Sequence, residues 1–143
     1  MPKAGHYIHR VVPTISSPPT FTTSYASDQY IQVNLNLDCA DSGTSIIKRR
    51  PQYEGFLQIV RISGNVGSGA TKITIKGYQD VGGQKLILPP TEACLEPDIS
   101  GGQSSVCYLV NACFSNDDAG LFIFAKTDTG TFEATDVEIS WYE

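Results

Sequence analysis

Tyr30-Ile31-Gln32-Val33-Asn34-Leu35-Asn36-Leu37-Asp38 alternates apolar and polar side chains along its whole length. At a period of two, Ile31, Val33, Leu35 and Leu37 share one face and Gln32, Asn34 and Asn36 the other. On a helix the same positions would scatter around the axis. The stretch therefore predicts a half-buried β-strand, and the rest of the chain repeats the signal. Thr71–Tyr78 alternates again, with Ile73 and Ile75 inward and Lys72, Thr74 and Lys76 outward. Phe56–Ile62 is apolar on both faces, as a central strand would be. Lys85–Leu88 reads as a short strand stopped by Pro89-Pro90, followed by a loop over 91–103. Ser105–Asn111, Leu121–Lys126 and Thr131–Tyr142 complete the set. In the last of these the apolar phase moves from Phe132 and Ala134 to Val137, Ile139 and Trp141, as a β-bulge would cause. That phase places Trp141 in the core and leaves Tyr78 and Tyr142 outward.

Turn residues punctuate these segments: Asp41-Ser42-Gly43, the glycine-rich run Gly64–Gly69, Asp80–Gly83, Asn116–Gly120 and Asp128-Thr129-Gly130. No segment has a helical period and no internal repeat is present. About eight short strands with turns roughly every 8–12 residues predict an all-β fold, an antiparallel β-sandwich or jelly roll.

The chain has 143 residues, enough for one domain with its own core. Its 13 Gly and 8 Pro beside a single Met suit strands and turns, and a charged fraction of 17% argues against a coiled coil. Residues 1–27 read differently from the body. Pro2, Pro13, Pro18 and Pro19 forbid continuous helix or interior strand, while Tyr7, Phe21 and Tyr25 supply contact surface. The expected organisation is an extended N-terminal arm, 1–27, and a sandwich domain, 28–143. Such an arm becomes ordered only by lying on something, its own domain or, as the favoured reading, a neighbouring chain. No apolar run approaches the length of a membrane span and no secretory signal is visible, so synthesis in a cytoplasm is expected.

The net charge of −5 is unevenly spread. Residues 1–61 hold six Lys/Arg against four Asp/Glu, and residues 62–143 hold four against eleven. An acidic body of this kind is a poor nucleic-acid binder, because phosphate contacts need clustered cations. The basic grouping Lys48-Arg49-Arg50, with Arg61 and with Lys3 and Arg10 of the arm, suits a docking rim that steers association with an acidic protein surface.

Chemistry-bearing patterns are scarce. Both histidines, His6 and His9, sit in the arm, where catalytic geometry is hard to hold. Phosphate-loop, nucleophile-elbow and dinucleotide motifs are missing, so neither an enzyme nor a cofactor is expected. The acidic groups Glu92/Glu96/Asp98 and Asn116/Asp117/Asp118 read as solvated turns rather than calcium sites. Cys39, Cys94, Cys107 and Cys113 match no zinc spacing and are expected as buried thiols, with a Cys107–Cys113 bridge across a hairpin as the alternative.

The run Ile73-Thr74-Ile75-Lys76-Gly77-Tyr78-Gln79-Asp80, followed by Gly82-Gly83 and Leu86-Ile87-Leu88-Pro89, resembles segments of the small β-sandwich decoration or cement proteins that coat tailed-bacteriophage capsids. Phe122–Thr131 running into Val137–Trp141 resembles them also, so that the likeness spans residues 55–143. It implies a non-enzymatic virion protein that binds a preassembled shell of major capsid protein, as a homo-oligomer with trimers favoured, at the capsid surface. It carries no active site. Joined to the residue-level reading, it points to partner binding through Lys3, Tyr7, Ile8, Arg10, Phe21, Tyr25, Lys48, Arg49 and Arg50, with no nucleic acid or membrane as partner. Two alternatives remain open: a carbohydrate- or receptor-binding module of a tail or spike, which needs an exposed aromatic pair with polar partners, and a jelly-roll coat protein.

Overall fold

A computed structural model describes residues 8–12, 15, 17–34, 54–80, 82–97, 103–115 and 120–142. Among these residues the chain is all β, with ten strands and no helix. They are β1 (Ile8–Val11), β2 (Thr20–Phe21), β3 (Tyr30–Asn34), β4 (Glu54–Gly67), β5 (Lys72–Tyr78), β6 (Leu86–Cys94), β7 (Glu96–Pro97), β8 (Ser104–Ser115), β9 (Gly120–Thr127) and β10 (Thr131–Tyr142). They form two antiparallel sheets. The first has the order β1-β10-β4-β8-β7, with β2 also pairing β10, and the second has the order β3-β9-β5-β6.

The predicted alternation is realised where it could be followed. Ile31 and Val33 of β3, Ile73 and Ile75 of β5, and Leu121, Ile123 and Ala125 of β9 are buried on one face of the second sheet. They meet Leu57, Val60 and Ile62 of β4, Val106 and Tyr108 of β8, and Phe132, Ala134, Val137 and Ile139 of β10. β4 is central in its sheet, flanked by β10 and β8, although Gln58 and Arg61 are exposed on its outward side. The phase change in β10 is a register shift between Ala134 and Asp136 opposite β4. Leu35, Leu37 and the Lys48–Arg50 loop lie outside the described residues, as do the side chains of Trp141 and Tyr142.

Several expectations are corrected. Pro89-Pro90 does not stop a strand: β6 runs through both prolines to Cys94, and Glu96-Pro97 form β7. The reason lies in position. Among the described residues β6 pairs only with β5, so a proline without an N–H can face away from the ladder. The register also skips there, from Ile75↔Thr91 to Gly77↔Leu88, which sets both prolines opposite Lys76 alone. Gly64–Gly67 continues β4 instead of turning, and the turn falls at Ser68-Gly69. Cys107 and Cys113 do not flank a hairpin but belong to the one strand β8. With Cys94 they are exposed and outside any disulfide, where buried thiols were expected.

The segment read as an arm supplies two strands of the first sheet. β1 pairs Ile8–Val11 with Ile139–Tyr142, and β2 pairs Thr20-Phe21 with Phe132-Glu133. The Ala134 N–H donates to the Pro19 carbonyl at 3.0 Å and the Thr127 N–H to the Thr22 carbonyl at 2.8 Å, tying this segment to both sheets. Phe21 is 2% exposed and sits in the core, so it cannot also face a partner.

Candidate functional site

Because paired residues in an antiparallel ladder share a face, the register of the second sheet also specifies its outer surface. Tyr30 lies opposite Phe124, Phe124 opposite Lys76, Phe122 opposite Tyr78, and Lys126 opposite Thr74. The outward side of β3, β9 and β5 therefore carries a row of aromatic rings edged by two lysines. Phe124 is 7% exposed yet stands outside the sandwich core, on the opposite face of the sheet from Ile123 and Ala125. Its cover comes from other rings: Tyr30 at 5.3 Å between centroids and Tyr78 at 5.8 Å, the latter edge to face. Tyr30 also meets Phe122 edge to face at 5.7 Å. Such pairs each contribute about 0.5–1.5 kcal/mol beyond burial, which holds the rings as a fixed floor.

Tyr25 closes one side. The connection from β2 to β3 brings residues 25–27 over this face, and the Lys76 ammonium stands 4.1 Å from the Tyr25 ring centroid and 5.5 Å from that of Tyr78. Lys126 reaches the same Tyr25 ring at 5.1 Å. Burial raises the Tyr25 hydroxyl pKa above the usual phenol value, with nearby Tyr78 adding to the effect. That hydroxyl is enclosed and has no hydrogen-bond partner. Among the described residues neither lysine forms an ion pair with a carboxylate, and both ammoniums stand over aromatic carbon.

The opposite wall is the loop between β5 and β6, organised by Asp80. Its carboxylate accepts the Lys85 N–H at 2.7 Å and the Gln84 N–H at 2.9 Å. These bonds, that from Lys85 foremost, hold the Asp80 pKa below the usual carboxylate range. The charge of Asp80 is thus turned into its own loop. Gly83 has φ +75°, a conformation that favours glycine, and a side chain there would lie against the Tyr78 ring. Tyr25, Ala26, Ser27, Lys76, Tyr78, Gly82, Gly83 and Phe124 line an open cleft of about 340 Å³.

Tyr25 and Tyr78 are the only residues of this cleft that the sequence marked for contact. Lys76 reads as outward-facing and Lys126 only as the end of a strand, and nothing in their local sequence brings them together. That requires β5 and β9 to be neighbours, which only the sheet order decides. Of the other candidates, Ile8 and Arg10 lie in β1 with side chains outside the described set, and Lys3, Tyr7, Lys48, Arg49 and Arg50 lie outside it altogether. Glu92 and Glu96 fall on separate strands, Asp98 and Asn116, Asp117 and Asp118 lie outside the described residues, and no group of three His, Cys, Asp or Glu comes together among the described residues.

No family model and no curated protein matches the chain. Among solved structures, the Cry1Da tryptic core variant of Bacillus thuringiensis is similar over 90% of this chain at 12% identity with a TM-score of 0.45, and the chain spans only 18% of that protein. The maize chlorotic mottle virus structure is similar over 96% of this chain and 91% of its own, at 13% identity with a TM-score of 0.31. Neither likeness is close enough to bear on function.

Proposed function

We propose that this chain is a virion structural protein, a decoration or cement subunit that binds an assembled capsid shell and bridges its major capsid subunits. The observation that carries the reading is the strand order. β1/β2-β10-β4-β8 faces β3-β9-β5-β6, so chain-neighbouring strands repeatedly cross from one sheet to the other. That interleaving matches the double Greek key of an eight-stranded jelly roll, an architecture used by viral capsid and lectin domains. In a shell under internal pressure, any ligand that binds only the intact lattice stabilises it by mass action. Copies joined in an oligomer add avidity without strong individual contacts.

The docking set under this proposal is the first part of the arm and the basic loop: Lys3, Tyr7, Ile8, Arg10 and Lys48-Arg49-Arg50. The test is sedimentation of the purified protein, alone and with particles purified from its native source, followed by hydrogen exchange of the bound form. A discrete small oligomer, trimer favoured, that pellets with the particles and gains protection at residues 1–7 and 48–50 supports the proposal. Self-assembly into closed shells would make it a coat protein instead. A monomer with no affinity for the particle overturns it.

A further inference from the structure

We propose that the cleft bounded by Tyr25, Lys76, Tyr78 and Gly83 is a binding site for a carboxylate-bearing saccharide, such as a terminal sialate or uronate. The inference goes beyond the virion reading and holds or fails independently of it. Three features of the cleft converge on this ligand class. The rings of Tyr78 and Tyr25, seated on the buried Phe124, provide the apolar surface on which the C–H face of a pyranose can lie. Lys76 lines the cleft, and Lys126, beside it rather than in its lining, reaches the same Tyr25 ring at 5.1 Å, so positive charge gathers here in a protein of net charge −5. An anion is the ligand that cations without a carboxylate partner among the described residues favour, and a carboxylate on a ring places the charge beside the stacking face. Finally, the volume of about 340 Å³ sits at the lower end for ligand pockets, the scale of one or two small rings.

Other anions fit less well. An acidic peptide usually gains affinity from main-chain bonds at a free sheet edge. This cleft instead lies over β9 and β5, the two inner strands of their sheet, whose backbones are already paired on both sides. Nucleic acid needs a longer track of cations than two lysines. Inorganic phosphate would leave the aromatic floor unused. At the rim, Gly82 and Gly83 let a ligand approach the backbone closely.

The test titrates the full chain with 3′-sialyllactose, a glucuronate-containing disaccharide, neutral lactose and a short polyglutamate peptide, followed by amide chemical shifts. Either acidic sugar, or both, is expected to shift Lys76, Gly82, Gly83 and Lys126, with an affinity at least about tenfold above that of lactose and weakened by salt. The pair of arms tells sialate from uronate. K76Q/K126Q is expected to lower the affinity by about tenfold or more without changing the melting temperature, and Y78A to abolish binding. K72Q, on the same sheet face but outside the cleft, is expected to leave it unchanged. The proposal is overturned by lactose binding equally well, by polyglutamate binding more tightly than either sugar, by K76Q/K126Q binding as wild type, or by no cleft shifts up to about 10 mM sugar. A negative result here leaves the particle-binding experiment to judge the virion reading separately.

Discussion

Gly130 shows how much a single residue can hold. Its φ of +67° is one that L side chains rarely adopt, and a Cβ there would collide with the backbone of Gly67 and Ser68 at the end of β4. Gly130→Ala is expected to cost about 1–3 kcal/mol in urea unfolding, and a loss below about 0.5 kcal/mol would contradict the close approach. Tyr108 is a second such residue. It reaches from β8 across the core and donates its hydroxyl to the Ile73 carbonyl of β5 at 2.6 Å, a polar tie between the two sheets. Burial above all, with smaller contributions from Tyr25 and Glu92, pushes its pKa far above the phenol range. The sign follows: the folded state resists ionisation, so this stability is intact below the unfolded value of about 10 and is lost as pH rises beyond it. Tyr108→Phe is expected to cost about 1–2 kcal/mol at neutral pH and to flatten the alkaline fall in stability, measured by urea unfolding at a series of pH values. An unchanged alkaline limb would rule out Tyr108 as its source.

Among the elements, the turn between β9 and β10 is fastened by Asp128, whose carboxylate accepts the Thr71 hydroxyl, the Thr71 N–H at 2.9 Å and the Lys72 N–H at 3.1 Å. The Thr71 side chain foremost, then the two N–H groups, holds its pKa well below the usual carboxylate range. A carboxylate with a depressed folded pKa stabilises above its unfolded value, near 3.9, and that contribution fades as pH falls toward the folded one. Asp128→Ala is thus expected to lower the melting temperature at pH 7, with the gap to wild type narrowing below about pH 4; a constant gap would mean that the charge is irrelevant. The edge strand β6 makes a different prediction. Its prolines remove donors that a second chain could pair with, and Leu86 on the same strand is 50% exposed. Replacing Pro89 and Pro90 by Thr and Val is expected to promote concentration-dependent association, visible by light scattering. Unaltered scattering would show that the edge is guarded by other means.

For the whole molecule, stability and surface function separate cleanly by face. Leu121, fully buried between the sheets, is expected to cost about 2–5 kcal/mol on truncation to Ala, whereas Leu109→Ser, at a position 83% exposed, should change subunit stability by less than about 0.5 kcal/mol. Equal losses in urea unfolding would contradict the assigned faces. The alternation of Ile31 and Val33, of Ile73 and Ile75, and the phase change in β10 made an antiparallel sandwich legible from the sequence, because a two-residue period reports directly on which face is buried. The same local reading failed at Pro89-Pro90, since whether a proline can stay in a strand depends on whether that strand is an edge. It failed for Phe21 because a Pro-flanked aromatic looks alike whether it covers its own core or another subunit. It failed for Cys107 and Cys113 because exposure depends on which side of β8 meets the other sheet. The cleft shows the division most plainly. Sequence alone determined that Lys76 and Tyr78 point outward from their strand. Only tertiary structure decided that β5 and β9 are neighbours and that residues 25–27 cross above them, because sheet order is set by long-range burial of the opposite face.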